Sequence, residues 1–118
     1  MALSKSSISR IQSITVTTAW GLYTNAASTK TYIKGFVLHN AGISSAFCKL
    51  HDVPNAAGSV GSASANNRIF SQYINPGETV FFEYPYPLTL SNTNDSIRFQ
   101  NDTASQTINI QILGDKDP

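Results

Sequence analysis

Apolar and polar residues alternate with period two along most of this chain, which predicts β-strands with one dry face and one wet face. The alternation is cleanest in Ser96-Ile97-Arg98-Phe99-Gln100 and in Thr107-Ile108-Asn109-Ile110-Gln111-Ile112. Before them, Thr79-Val80-Phe81-Phe82-Glu83-Tyr84 is β-branched and aromatic, suited to a pleated, half-buried surface. Asn75-Pro76-Gly77 ahead of it predicts a type II turn, because proline presets φ near −65° and glycine accepts the positive φ that follows. Pro85 and Pro87 are expected to stop the ladder, leaving Leu88-Thr89-Leu90 as a short rung of its own before the polar turn Ser91–Asp95.

The rest of the chain reads the same way. Ile11–Thr17 predicts a first strand with Ile14 and Val16 on one face, and Trp20-Gly21-Leu22-Tyr23 a second apolar piece after a bend. Thr31–Asn40 is a strong strand in which Gly35 marks a bulge or a close approach of backbone. Ala41–Ser45 turns the chain, and Ala46–Val53 is expected to return as its hairpin partner, with Cys48 and Leu50 on one face and Lys49 and His51 on the other. Pro54–Asn67 has no strand character. Its small residues and two glycines predict a flexible surface loop, either a tolerated insertion or a contact loop that orders against a neighbour. Arg68–Tyr73 then leads as a strand into the turn at Asn75. Met1–Arg10 is a small, weakly basic N-terminal arm or a frayed terminus, and Asp115–Pro118 a charged tail expected outside the sheet.

About eight short strands with closely spaced turns and no convincing helix predict one all-β domain, 11–114. The architecture is an antiparallel β-sandwich of jelly-roll type, with a small closed barrel as the alternative. At 118 residues the chain is long enough for a two-layer core.

Composition narrows the functional classes. Charged residues make up 13%, about half the usual share, and the net charge is +1. The eight Lys and Arg residues are scattered, so no basic stripe points to nucleic acid or an acidic membrane. Near-neutral charge also removes a barrier to self-association. No run approaches the roughly 20 apolar residues of a membrane-spanning helix. The N-terminus has no apolar stretch of the secretory kind, so synthesis in the cytoplasm is expected. Without such a signal, the acceptor patterns at Asn94-Asp95-Ser96 and Asn101-Asp102-Thr103 carry no weight.

Chemistry is hard to find. With a single cysteine, Cys48, there is no intrachain disulfide, and the residue reads as a small buried hydrophobe. His39, His51 and Cys48 lack the further ligands of a metal site. His51 and Asp52 are adjacent on a strand and point to opposite faces, which argues against a Ser-His-Asp arrangement. Asp52, Glu78, Glu83, Asp95 and Asp102 supply no obvious catalytic pair, since all but Asp52 sit in or beside turn-rich segments where solvation is the ordinary role. Gly58-Ser59-Val60-Gly61-Ser62 has no lysine and no following helix, so it is not a phosphate loop. The reading is therefore of a non-enzyme without cofactors or metal. Tyr84-Pro85-Tyr86-Pro87 is the best contact candidate, because tyrosine brings area at low entropic cost and proline keeps the segment extended. Trp20 is either core or interface, or an exposed platform for a sugar. With Lys5 and Arg10 of the arm, Trp20, Tyr84 and Tyr86 form the candidate interface set.

The order of these pieces also resembles a known group. Thr31–Asn40 with a return strand, Asn75-Pro76-Gly77-Glu78-Thr79, Leu88-Thr89-Leu90, Asp95-Ser96-Ile97 and a closing strand to Gly114 resemble small structural proteins of tailed bacteriophages. The resemblance covers about Thr31–Gly114, is carried by short turn-centred motifs, and transfers no catalytic residue. The long 54–67 loop and the first strand pair depart from the pattern. The resemblance implies a virion component, foremost a capsid decoration (cement) protein, with head-fibre, tail or baseplate roles as alternatives. It further implies a homotrimer whose partners are itself and the major capsid protein or other virion proteins. A carbohydrate-binding module is the rival from another class.

Overall fold

The computed structural model describes residues 4–7, 12–14, 20–103 and 106–117. Among these residues nine strands follow in order: β1 Ser4–Ser7, β2 Gln12–Ile14, β3 Trp20–Thr24, β4 Lys30–Asn40, β5 Ala46–Val53, β6 Arg68–Ile74, β7 Thr79–Leu90, β8 Ser96–Asn101 and β9 Ile108–Asp117. The helical content among the described residues is one 3-10 turn, Ala65–Asn67. All pairings are antiparallel. One sheet runs β1-β9-β4-β7, with β2 also on β9, and the other runs β3-β8-β5-β6. Read along the chain the pairs are nested: β5 with β6, β4 with β7, β3 with β8, β2 with β9. Such nesting is a long hairpin rolled over so that alternate rungs fall in opposite sheets, which is a jelly roll.

The dry faces predicted by alternation meet between the sheets. Ile33, Phe36 and Leu38 of β4 and Ile108, Ile110 and Ile112 of β9 lie against Cys48 and Leu50 of β5 and Ile97 and Phe99 of β8, all essentially without solvent contact. Each large side chain so buried contributes about 1.5–3 kcal/mol. Where the edge strands β6 and β7 face each other across the sheets, aromatic rings close the core. Phe70 stacks on Phe82 at 5.2 Å between centroids, and Tyr84 meets Phe36 and Phe82 edge-on at 6.2 and 5.7 Å.

Two irregularities shape the β4 sheet. Lys34 is an extra residue between Ile33 and Gly35 in the β4–β9 ladder, and Gly35 follows without a side chain. A Cβ at Gly35 would lie 2.6 Å from the Phe82 carbonyl oxygen, so only glycine allows this approach. The Asn75–Glu78 turn has the predicted geometry: Gly77 takes φ 75° and the Glu78 N–H donates to the Asn75 carbonyl at 3.0 Å.

Several expectations are corrected. β4 and β5 are not a hairpin; the chain crosses between sheets at residues 41–45, so both strands bury their dry faces against each other across the core. Leu88–Leu90 is not a separate strand but the far end of β7. The ladder lapses over residues 84–87, where the prolines need donate nothing, and resumes on β4 with Leu88 opposite Ile33. Residues 115–117 stay in β9 rather than outside the sheet, because Lys30 stands opposite Asp117 and Lys34 forms an ion pair of 2.7 Å with the buried Asp115. The described part of the N-terminal arm is the edge strand β1 on Leu113–Lys116.

The 54–67 loop is extensively hydrogen-bonded rather than an open flexible excursion. Ala56 and Ser59 exchange two backbone hydrogen bonds around Ala57 and Gly58, both at positive φ. Ser64 and Asn67 cap the 3-10 turn reciprocally. The Asp95 carboxylate accepts from both the N–H and the side-chain amide of Asn55, at 2.9 and 3.1 Å.

Candidate functional site

The outward residues of the β4 sheet form a grid fixed by register. On β7 they are Thr79, Phe81 and Glu83; on β4, His39, Val37 and Gly35; on β9, Asn109, Gln111 and Leu113. Phe81 stands opposite Val37, and His39 Nδ1 is 2.8 Å from the Thr79 hydroxyl. Because Gly35 contributes no side chain, the surface sinks there into a hollow of about 320 Å³. It is lined by Phe81, Glu83, Leu113 and Gly114 and by the Lys34–Asp115 ion pair. Phe81 is 53% exposed. The Glu83 carboxylate has no hydrogen-bond or ion-pair partner among the described residues.

Beside this hollow the β7 ladder lapses. Four residues, Tyr84-Pro85-Tyr86-Pro87, lie between Glu83 opposite Gly35 and Leu88 opposite Ile33, so they bulge against Lys34 alone. Tyr84 and Tyr86 are two apart and would share a face in a regular strand. The bulge separates them: Tyr84 turns into the aromatic end of the core, half-buried, and Tyr86 stands 86% exposed. Of the two predicted contact residues, Tyr86 is thus open to solvent and Tyr84 is packed on Phe36 and Phe82. Burial first, then the Asp52 carboxylate, raises the Tyr84 phenol above its ordinary pKa.

The other predicted residues are not gathered here. Lys5 occupies the β1 position opposite Asp115, and Trp20 the β3 position opposite Phe99. Arg10 lies outside the described residues. Phe81, Glu83 and Leu113 were missed as a group. Alternation in Thr79-Val80-Phe81-Phe82-Glu83 sends one phenylalanine of the pair outward, but only the register with β4 says which.

On the outward side of the β5 sheet the β5 side chains find partners within the chain, while Tyr73 of β6 is 65% exposed. Lys49 forms an ion pair of 2.7 Å with Asp102 and lies over the Phe47 ring at 5.3 Å, while Phe47 packs on Tyr73 at 4.8 Å. His51 is buried where the 54–67 loop returns. Its Nδ1 faces the Ser64 carbonyl and Asn67 Oδ1, each at 3.1 Å; both accept, so Nδ1 carries the hydrogen. Nε2 is buried without a partner among the described residues. Burial, with lesser repulsion from Arg68 and Lys49, outweighs these hydrogen bonds and lowers the His51 pKa, so the ring is neutral at pH 7.

Cys48, Asp52 and Asp95 are also shifted by their surroundings. Burial, then Asp102, pushes the Cys48 thiol up to about 12, which leaves it unreactive at neutral pH. Burial, then Asp95, raises Asp52. Asp95 differs from the expectation of a solvated turn residue. Burial alone would raise it, but hydrogen bonds from Asn55, Asn92 and Ser91 together hold it below the usual carboxylate range. Its oxygens are engaged in holding loops. No group of three or more His, Cys, Asp or Glu among the described residues is arranged to hold a metal ion. No protein-family model, curated protein or solved structure matches the chain.

Proposed function

We propose that this chain is a non-enzymatic virion structural protein of a tailed bacteriophage, a capsid decoration subunit that works as a homotrimer. The observation that carries the reading is the unfinished outer face of the β4 sheet. Phe81 and Tyr86 are presented to solvent on the same strand, beside a hollow that holds a carboxylate, Glu83, unpartnered among the described residues. Neighbouring exposed apolar groups mark contact surfaces, and symmetry multiplies modest contacts into firm attachment. The low charge density supports the same reading, since little repulsion opposes close packing of copies.

Size-exclusion chromatography with light scattering tests the proposal directly. A trimer mass is expected at micromolar concentration. The hollow itself favours a second reading, because an exposed ring beside a carboxylate is what a sugar-binding site needs. A monomer at every concentration, retained by a glycan array and released by Phe81→Ala, would establish that reading and overturn the first.

A further inference from the structure

We propose that the hollow beside Gly35 is the receptor for Tyr86 of a second copy of this chain. The proposal rests on the self-association in the reading above and assigns it a surface. Knob and hollow lie on one strand, β7, with Glu83 in the hollow and Tyr86 three residues on. A chain does not fill its own hollow: Tyr86 is 86% exposed and takes no part in the lining. The two features answer each other across copies.

Size is the first match. At about 320 Å³ the hollow lies at the bottom of the range of small-molecule sites, roughly 300–1,000 Å³, which suits one aromatic side chain better than a larger ligand. Its chemistry is the second. Phe81 and Leu113 offer apolar walls to a ring, and aromatic pairs gain from offset or edge-on contact. The phenol brings a single O–H donor. Glu83 is the acceptor without a partner, whereas Asp115 is already held by Lys34. The phenol therefore meets an acceptor that needs a donor, and no charge is left buried and uncompensated at a solvent-exposed rim.

Preorganisation is the third match. Pro85 and Pro87 flank Tyr86 and limit its backbone freedom, and Tyr84 pins the base of the bulge inside the core. Ordering costs on docking are correspondingly small. The wide bulge also spoils β7 for edge-to-edge strand addition over residues 84–87, so contact there is made by side chains. Each copy both gives and receives a ring. Knob in hollow is satisfied by a head-to-tail ring of copies, as in the trimer proposed above, and equally by a reciprocal pair across a two-fold axis.

Paired cysteines test the contact on the full chain. Tyr86→Cys and Leu113→Cys are made in separate preparations, mixed and oxidised; the native Cys48 is buried and does not compete. A disulfide-linked species that forms in the mixture, and only weakly in either preparation alone, is the expected result. In parallel, Tyr86→Ala should weaken self-association by roughly ten-fold or more, as tyrosine anchors do, with an unchanged circular dichroism spectrum and melting temperature when dilute. Tyr86→Phe should retain most of the affinity if ring packing dominates and lose part of it through the missing O–H.

An oligomer that survives Tyr86→Ala and gives no cross-link would overturn this contact while leaving the virion reading intact. A wild-type chain that stays monomeric would overturn both. A cross-link in the mixture together with a two-chain mass for the wild type in light scattering would uphold the contact and remove the trimer.

Discussion

The two outer faces of the sandwich obey the same alternation and end differently. On the β5 sheet the outward groups of β5 itself are answered within the chain, Lys49 by Asp102 and the Phe47 ring, Phe47 by Tyr73, and His51 by the returning loop, although Tyr73 on the edge strand stays 65% exposed. On the β4 sheet, Phe81 and Glu83 are left open around a hollow, and a proline-braced bulge holds Tyr86 clear of the surface. Period-two patterning specifies a wet face; it does not specify what wets it. Long-range contacts decide that, and here they pair Lys49 and His51 on one face and leave Phe81 and Glu83 around a hollow on the other.

The largest effect should come from undoing the paired face at its root. Asp95 accepts hydrogen bonds from the Asn55 N–H and amide and from the Asn92 N–H at 3.0 Å, tying the 54–67 loop to the β7–β8 turn. Hydrogen bonds to a charged acceptor are worth about 1.5–3 kcal/mol each at most and share one carboxylate here, so Asp95→Ala should cost about 3 kcal/mol in urea unfolding at pH 7. The folded pKa of Asp95 is depressed. Its stabilisation is therefore present above the unfolded value near 3.9 and is lost as pH falls through the lower folded value. Wild type and variant should converge in acid. Amide exchange at Asn55 and Asn92 should quicken in the variant, while the β4 and β7 amides keep their protection.

A smaller effect belongs to His51. It holds the loop through Nδ1–H, and His51→Leu removes that donor at a cost of about 1 kcal/mol. The pH dependence separates this latch from simple packing. The folded pKa is lowered, so the unfolded chain takes up a proton first as pH drops below about 6.5. Wild-type stability should fall from there down to the lower folded pKa, and then level off. The variant should lack that segment of the slope. Identical slopes in the two proteins, followed by melting temperature between pH 7 and 5, would show that another group titrates.

How far the sequence announced all this varies by residue. Strand identity was legible because Ile97, Phe99, Ile108, Ile110 and Ile112 are spaced by two and all of them bury. The type II turn was legible because Pro76 and Gly77 restrict φ locally. What failed was pairing. Residues 41–45 look like a hairpin turn, yet they carry β4 into the opposite sheet, since local chemistry fixes that a chain reverses and not which face it packs on. The tail failed for a related reason: Asp115 and Asp117 read as solvent-seeking until Lys34 and Lys30 are found beside and across from them. Of the candidate site, Tyr84 and Tyr86 read alike as an exposed contact, and only Tyr86 is exposed, because the bulge turns Tyr84 inward. The hollow was not legible, because it is made by a missing side chain at Gly35 seen against two neighbouring strands.

The smallest effect on folding, and the sharpest on the comparison, should come from Phe81→Thr. Threonine keeps the β-branched preference for a strand, and a residue 53% exposed surrenders little burial. In dilute solution the midpoint of urea unfolding should move by no more than about 0.5 kcal/mol, against about 2–5 kcal/mol for Leu50→Ala in the core beneath. Raising the protein concentration should then part the two proteins. Association binds only the folded chain, so wild-type stability should climb with concentration while that of Phe81→Thr stays nearly flat. A variant that is already much weaker at dilution would mean that Phe81 completes the fold as Phe47 does on the other sheet, and the two faces would no longer differ in kind.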